Sequence, residues 1–589
     1  MKLSRREFLQ LIATAAAAGL CLPGLASAGS GLQNLRHAGK THSSEDLYDI
    51  PAFGNVSLLH FTDCHAQLLP SYYREPDTHI GTGRLMTNKL PHLVGKYFLD
   101  TFHIPYRSPS AYALAFLDFP ELAAKYGRTG GFAHMATLIK QLRAQRPGSL
   151  LLDGGDTWQG SATALWSNGQ DMVDACKLLG VDVMTGHWEF TYGMERVLEI
   201  VEKELAGHID FVAQNVADLE FEDPVFQPYV IKEINGVPVA IIGQAFPYTM
   251  IAHPPHLVEK WQFGIHEERL QGYINKVREE GAQVVVLLSH NGMDVDLKLA
   301  GRVRGLDAIL GGHTHDGIPA AIKVDNAGGK TLVINSGTNG KFIAVLDLQV
   351  SHGAVQDFRF HLLPVFSNLL PADPDMQAYI DNLRAPYQNR LHEKVAVTDS
   401  LLYRRDTFNG TFDQVILDAL MKIQDAEIAF SPGFRWGTSL LPGSDITVED
   451  VMDQTAITYP IVTRNAMTGK QIKDVLEDVA DNRFSTNPYL QQGGDMVRVS
   501  GMQYSIDLTA GMGSRIGDMT LHGKPMSADK KYIVAGWASR TKGLKGQAVW
   551  DIVMEYCRDL KTVHVDKVTL PRLKNMTRNH GIQKTGFNT

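Results

Sequence analysis

The sequence predicts an α/β protein: a layered α/β domain followed by a second, smaller α/β domain. Three observations carry this expectation. Short apolar runs alternate with amphipathic stretches from about residue 56 to residue 350. Five of the apolar runs end in Asp or His, as strands do when they hand over to functional loops. At 589 residues and 44% hydrophobic content, the chain is long enough for two to four domains with large cores.

The elements follow in order. VSLLHFTD (56–63) reads as a strand, and FAHMATLIKQLRAQ (132–145) as an amphipathic helix. SLLLDGGD (149–156) is a strand running into a glycine turn, and MERVLEIVEKELAG (194–207) is a helix. VAIIGQAF (239–246) is a strand, ERLQGYINKVREEG (268–281) a helix, and QVVVLLSH (283–290) and LDAILGG (306–312) are strands. TLVINSG and FIAVLDLQV extend the series. A long insertion rich in Pro, Tyr and His, at about 68–130, interrupts the first units, and insertions of that length usually serve function. The expected domains are 29–365 and 391–589, joined by a linker helix at 366–390.

The net charge of −8 argues against a nucleic-acid partner. At the N-terminus, Arg5-Arg6 precedes an Ala-rich apolar run and Ala26-Ser27-Ala28, the layout of an export signal over residues 1–28. The paired arginines resemble the twin-arginine signal, which implies a periplasmic protein. The apolar run is short for a membrane span, so no membrane contact is expected of the mature form. Of four cysteines, Cys21 leaves with the signal; Cys64, Cys176 and Cys557 show no CxxC spacing, so neither a disulfide framework nor a zinc ribbon is expected.

The strand ends carry the chemistry. They deliver Asp63 and His65, Asp156, His187, His290, and His313 and His315. Asp63 and His65 are two apart, so in an extended chain both face one way and Cys64 the other. Glycines before Asp156, His187 and His313 let the backbone turn off the strand. Seven candidate ligands exceed one tetrahedral site and suit two metals sharing a carboxylate. Carboxylate and imidazole donors without thiolate suit Mn, Zn or Fe.

These motifs resemble the dinuclear metallophosphatases of the 5′-nucleotidase family: D-x-H, G-D, G-N-H-E, a lone His after an apolar strand, then G-H-x-H. SPGFRWGTSLLPGSDIT (431–447) looks like that family's substrate loop. The resemblance implies a four-layer α/β/β/α catalytic domain with a C-terminal substrate-binding domain. It implies Asp63, His65, Asp156 and His315 on one metal, and Asp156, His187, His290 and His313 on the other.

TGHWEF (185–190) departs from the family pattern. His187 stands where the family has its Asn ligand, Trp188 where it has the catalytic His, and Thr191 where it has the Asp that completes the dyad. A one-residue slip, making His187 the general acid, is the alternative. An alkoxide leaving group benefits from a proton donor, whereas a sulfur leaving group departs as the anion. Loss of the dyad therefore points to S–S rather than P–O cleavage. REPDTHIGTG, PHLVGKYFL and TGHWEFTYG together resemble the SoxB thiosulfohydrolase branch of the family. That branch implies two Mn²⁺ ions and, as partner, the SoxYZ carrier with its modified cysteine. The implied reaction is sulfate release by metal-activated hydroxide attack on the sulfone sulfur. Arg435, in the glycine loop, is the candidate sulfonate contact. Trp188 either walls the site against water or is plain packing. The alternatives are a periplasmic 5′-nucleotidase or phosphodiesterase with the same metals, and a non-catalytic metal-binding protein.

Overall fold

The computed structural model describes residues 47–81, 89–576 and 579–583; the expected export signal, 1–28, lies outside the described residues. Two six-stranded sheets form the first domain. In one, Val56–Phe61, Leu150–Asp153, Val183–Met184 and Asp210–Phe211 run parallel, side by side in chain order. The antiparallel pair Phe342–Ser351 and Ala354–Pro364 extends it beyond the first strand. In the other, Gly329–Asn335, Ala308–Gly311, Val284–Ser289 and Val237–Gln244 are parallel neighbours, flanked by antiparallel Ile322–Asn326 and Tyr229–Ile234.

Successive strand residues face opposite sides, so a run apolar throughout marks a strand covered on both faces. Leu58, Leu152 and Val183 of the first sheet meet Ile241, Val286 and Leu310 of the second in a shared core. Leu59, Phe61 and Leu151 point outward, beneath helices Phe132–Gln145 and Gln170–Leu179. Ile242, Val285 and Leu287 point outward on the other side, beneath helix Glu267–Glu279. The result is the four-layer α/β/β/α arrangement.

Among the described residues the insertion forms three helices, Gly95–Phe102, Pro109–Leu114 and Phe119–Tyr126. Phe98, Phe102 and Leu122 pack into the outer core of the second sheet, so the insertion completes a layer. The helix expected at 194–207 is α-helical only over Met194–Glu199 and continues as a π-type turn over Ile200–Glu204. The wider turn buries Ile200 and Leu205 against the outer core of the first sheet.

Helix Pro374–Arg384 starts at Asp373, whose carboxylate accepts from the Met376 N–H at 3.2 Å. Met376 and Ile380 seat it on the first domain. Its last residue, Arg384, reaches Glu449 of the second domain with two bonds of 2.6 and 2.8 Å. The second domain holds one three-stranded and two four-stranded sheets with helices Thr411–Ile423, Val448–Thr455, Gly469–Arg483 and Val549–Leu560. Cys64, Cys176 and Cys557 are free and buried. Among the described residues no helix is long and apolar enough to cross a membrane.

One buried ion pair ties the first sheet to its helical layer. Arg146 Nε and Nη2 bond Asp347 at 2.9 and 3.0 Å, Ser57 Oγ donates to the same carboxylate at 2.6 Å, and neither charged side chain is solvent-exposed. Removing one partner strands a buried charge. Asp347→Ala should destabilise the protein by about 3–5 kcal/mol in urea unfolding, and a loss below about 1 kcal/mol would show that the pair is effectively solvated.

Candidate metal centre

Parallel strands place their carboxyl ends along one edge, and both sheets present that edge to the same side. Asp63 and His65 follow Val56–Phe61, Asp156 follows Leu150–Asp153, and His187 follows Val183–Met184. His290 follows Val284–Ser289, and His313 and His315 follow Ala308–Gly311. The backbone at Asp63 and His65 is not extended: φ is 53° and 46°, both left-handed. The turn is held by the His65 N–H on the Asp156 carbonyl at 2.8 Å and the Asp63 N–H on the Gly155 carbonyl at 2.8 Å. Cys64 still points away from both, into the apolar core. Asp156, His313 and His315 are also left-handed, at 60°, 72° and 60°. Each such residue carries about 1–3 kcal/mol of strain, a cost that surrounding contacts must hold in place.

The seven side chains fall into two groups that share Asp156: Asp63, His65, Asp156 and His315, and Asp156, His187, His290 and His313. Within each group the ligand atoms lie within 4.8 Å of one another, and every residue is buried. His290 Nε2 and His187 Nδ1 approach Asp156 Oδ2 at 3.0 and 3.1 Å, and His315 Nε2 approaches Asp63 Oδ1 at 3.2 Å. His290 Nδ1 lies 2.6 Å from the Gly154 carbonyl, which fixes its proton there and leaves Nε2 as the ligand atom. The Nε2 atoms of His65 and His315 face each other at 3.1 Å. His187 Nε2 and His313 Nε2 are buried without a hydrogen-bond partner among the described residues. The clustered carboxylate oxygens and imidazole nitrogens of the two groups fit divalent cations, and only neutral imidazoles bind them. Burial supplies that neutrality, holding His65 down at about 4 and His313 and His315 well below the usual range. Burial also pulls His290 down, but the Asp156 and Asp63 carboxylates outweigh it and raise the ring to about 10, so a bound cation must displace that proton. Gly312 has no alternative: a Cβ there would sit 2.3 Å from Thr62 Oγ1 and 2.8 Å from Asp63 Oδ2.

The centre opens into a cavity of about 640 Å³ between the domains. His187, His313 and His315 form its metal side; Phe434, Trp436 and Trp537 of the second domain face them. A cleft of similar size near Tyr504 and Arg572, lined also by Arg74 and Asp77 of the insertion, contains none of the candidate ligands.

Residues 394–551 match the family described as 5′-nucleotidase, C-terminal domain. A solved structure of the sulfate thiohydrolase SoxB of Thermus thermophilus is 36% identical with a TM-score of 0.85, covering 90% of this chain and 98% of that one. The chain belongs to the SoxB family, within the 5′-nucleotidase superfamily. A Thermus thermophilus 5′-nucleotidase precursor shares the fold at a TM-score of 0.69 and 20% identity, covering 89% of this chain and all of that one. Among curated relatives, the trifunctional nucleotide phosphoesterase YfkN of Bacillus subtilis is 25% identical over 65% of this chain, a match that spans 28% of its own length. The snake venom 5′-nucleotidase of Gloydius brevicauda is 24% identical over 66% of this chain and 70% of its own.

In this SoxB-family chain the TGHWEF segment becomes a short 3₁₀ turn, Trp188–Tyr192. His187 lies in the second ligand group. The Trp188 N–H donates to Asp156 Oδ1 at 2.8 Å, while its ring lines the cavity, edge-on to Trp436 at 5.0 Å and to Phe434 at 5.2 Å. Thr191 Oγ1 meets Thr458 Oγ1 of the second domain at 2.7 Å. No His–Asp pair occupies these positions. Arg435 also lines the cavity, but much of its guanidinium is committed. Nη1 donates to the His313 carbonyl at 3.2 Å, Nη2 to the Gly494 carbonyl at 2.8 Å, and Nε faces Asp495 at 3.4 Å. Tyr192 and Asn215 bond backbone carbonyls, and Asn291 bonds Gln244 and Asp296.

Glu189, the acidic residue of the TGHWEF segment, holds the ligand loops in place. One oxygen accepts from the Thr157 and Trp158 N–H groups at 2.7 and 3.3 Å, the other from the His187 and Asp156 N–H groups at 2.7 and 3.2 Å. It thereby ties two ligand loops together. His253, whose Nε2 meets the His187 carbonyl at 3.3 Å, was missed by sequence reasoning, because its partner is a backbone atom far away in sequence. The signal for Glu189 was its place beside a ligand on a tight turn. Glu189→Gln would turn an amide NH₂ toward backbone donors. It should weaken metal binding by about 10–100-fold, measured by calorimetry, with the native circular dichroism retained.

Proposed function

We propose that the protein hydrolyses a cysteine S-sulfonate or S-thiosulfonate carried by SoxYZ, releasing sulfate in the course of thiosulfate oxidation. The observation that carries this reading is the indole of Trp188 in the cavity wall, where the phosphatase pattern has its acid histidine. The 36% identity to the sulfate thiohydrolase SoxB of Thermus thermophilus supports it. In the reaction an oxygen from water bonds to the sulfone sulfur and the S–S bond breaks. The electron pair leaves on the carrier sulfur, giving the thiol or persulfide, sulfate and a proton. Such a leaving group needs no protonation in the transition state.

Asp63, His65, Asp156 and His315 would hold one cation, and Asp156, His187, His290 and His313 the other. When bound, the pair supplies Lewis acidity and lowers the pKa of water enough for attack near neutral pH. The chain's own residues do the rest. Asp156 is kept ionised at the junction of the two groups, because His187 and His290 outweigh the burial that would protonate it. Trp188, Phe434 and Trp436 exclude bulk water and offer a polarisable surface to sulfur. Arg435 adds positive charge to the wall beside the anion. Manganese is the proposed metal, and the paired arginines and Ala-rich leader support export to the periplasm by the twin-arginine route.

A second reading, nucleotide or phosphodiester hydrolysis, draws on the matched C-terminal family and on the curated relatives. One assay separates the two. Protein loaded with Mn²⁺ should release sulfate from an S-sulfonated or S-thiosulfonated cysteine peptide. Phosphate from AMP should appear about 10²–10⁴ times more slowly than from an enzyme with an intact acid. Phosphate release alone, with no sulfate, would favour the nucleotidase.

The leaving-group reasoning has its own check. Trp188→His with Thr191→Asp rebuilds the missing dyad. The double variant should show no gain in sulfate release at saturating substrate, and a rise of tenfold or more, on the order of a general acid's contribution, would refute it.

A further inference from the structure

The second domain reaches the His313–His315 loop through two arginines gathered by one carboxylate. We propose that Asp495 is a positioning residue: by gathering Arg405 and Arg435 it fixes the backbone of the loop that presents His313 and His315. This rests on the ligand groups described above and not on the identity of the substrate.

Asp495 follows Gly493 and Gly494 and is buried. Its Oδ2 lies 2.9 Å from Arg405 Nη1, and its Oδ1 lies 3.4 Å from Arg435 Nε. The far ends of the same two guanidinium groups cross to the first domain. Arg405 Nη2 donates to the Thr314 carbonyl at 3.0 Å, and Arg435 Nη1 donates to the His313 carbonyl at 3.2 Å. Thr314 separates the two ligands, and both ligands have left-handed backbone that needs outside support. The loop's amide side is already held, since the His313 N–H sits 2.9 Å from Asp63 Oδ2. The two arginines hold its carbonyl side. Gly493 closes the arrangement from behind, where a Cβ would lie 2.5 Å from His313 Nε2.

Charge explains why an acid is needed there. Arg483 and Arg498 approach Asp495 at 3.7 and 3.6 Å, so four buried guanidinium groups share one carboxylate. Without it the arginines repel one another more strongly, and Arg405 and Arg435 lose the carboxylate that gathers them. Arg498 is the informative contrast. It touches Asp495, but its other bonds go to Asp413 and to the carbonyls of Thr407 and Met496, none of them in a ligand loop.

The test is Mn²⁺ binding by calorimetry with elemental analysis, on full-length protein whose folding is followed by circular dichroism and thermal unfolding. Asp495→Asn should weaken at least one of the two Mn²⁺ sites by about tenfold or more, and Asp495→Glu should recover part of it. Arg435→Met should shift affinity in the same direction. Arg498→Met should lower Tm and leave Mn²⁺ affinity unchanged. Wild-type affinity in folded Asp495→Asn and Arg435→Met, or an equal loss in Arg498→Met, overturns the proposal. Should Asp495→Asn fail to fold, the comparison of Arg435→Met with Arg498→Met decides.

Discussion

Everything at the site depends on one carboxylate, Asp156, being ionised and held where two sets of ligands meet. Burial alone would protonate it. The imidazoles of His187 and His290, each about a hydrogen-bond length from Oδ2, reverse that and hold it well below the usual carboxylate range. Oδ1 is occupied by the Trp188 N–H. Position is enforced from behind as well, because Glu189 accepts from the Asp156 and His187 N–H groups together. Asp156 and four other candidate ligands carry left-handed backbone here, and that much strain survives only in a frame that allows the loops no alternative. The parallel strands provide the frame: their ends arrive at one edge with Asp156 between the two sheets' contributions.

Much of this was legible in the chain. Largely apolar runs such as VSLLHF and VVVLLS marked strands covered on both faces, and the Asp and His residues just after them named the candidate ligands. Helix Phe132–Gln145 coincides with the amphipathic stretch that predicted it. What escaped was structure set by distant partners. The left-handed turns at Asp63 and His65 come from bonds to the Gly155 and Asp156 carbonyls, so an extended reading of D-x-H was the natural error. The insertion, of which the sequence suggested only that it serves function, holds three helices among its described residues, because its apolar residues are satisfied by the outer face of a sheet that local pattern does not show. Asp495 had no motif around it; its meaning lies in four arginines drawn from separate parts of the sequence.

Arg435 illustrates how a correct location can carry more than one role. The glycine loop does bring it to the cavity wall. Yet three of its nitrogens already serve the His313 carbonyl, the Gly494 carbonyl and Asp495. A guanidinium has five N–H donors, so some remain for an anion. Its charge acts on the cavity whichever donors are engaged, while its hydrogen bonds act on the fold.

The cavity itself bears on the choice between sulfur and phosphorus chemistry. Two divalent cations against Asp63 and Asp156 leave a net positive centre, which attracts any oxyanion. The discrimination must come from the other wall. Phe434, Trp436, Trp537 and Trp188 form a stacked and edge-on aromatic surface that offers little hydration to a leaving alkoxide. A departing sulfur is polarisable, weakly hydrated and stable as its anion near neutral pH, so that wall is less hostile to it. On the proposed reading, replacing a histidine by Trp188 has two effects at once. It removes a proton donor that P–O cleavage needs, and it adds apolar surface that S–S cleavage tolerates.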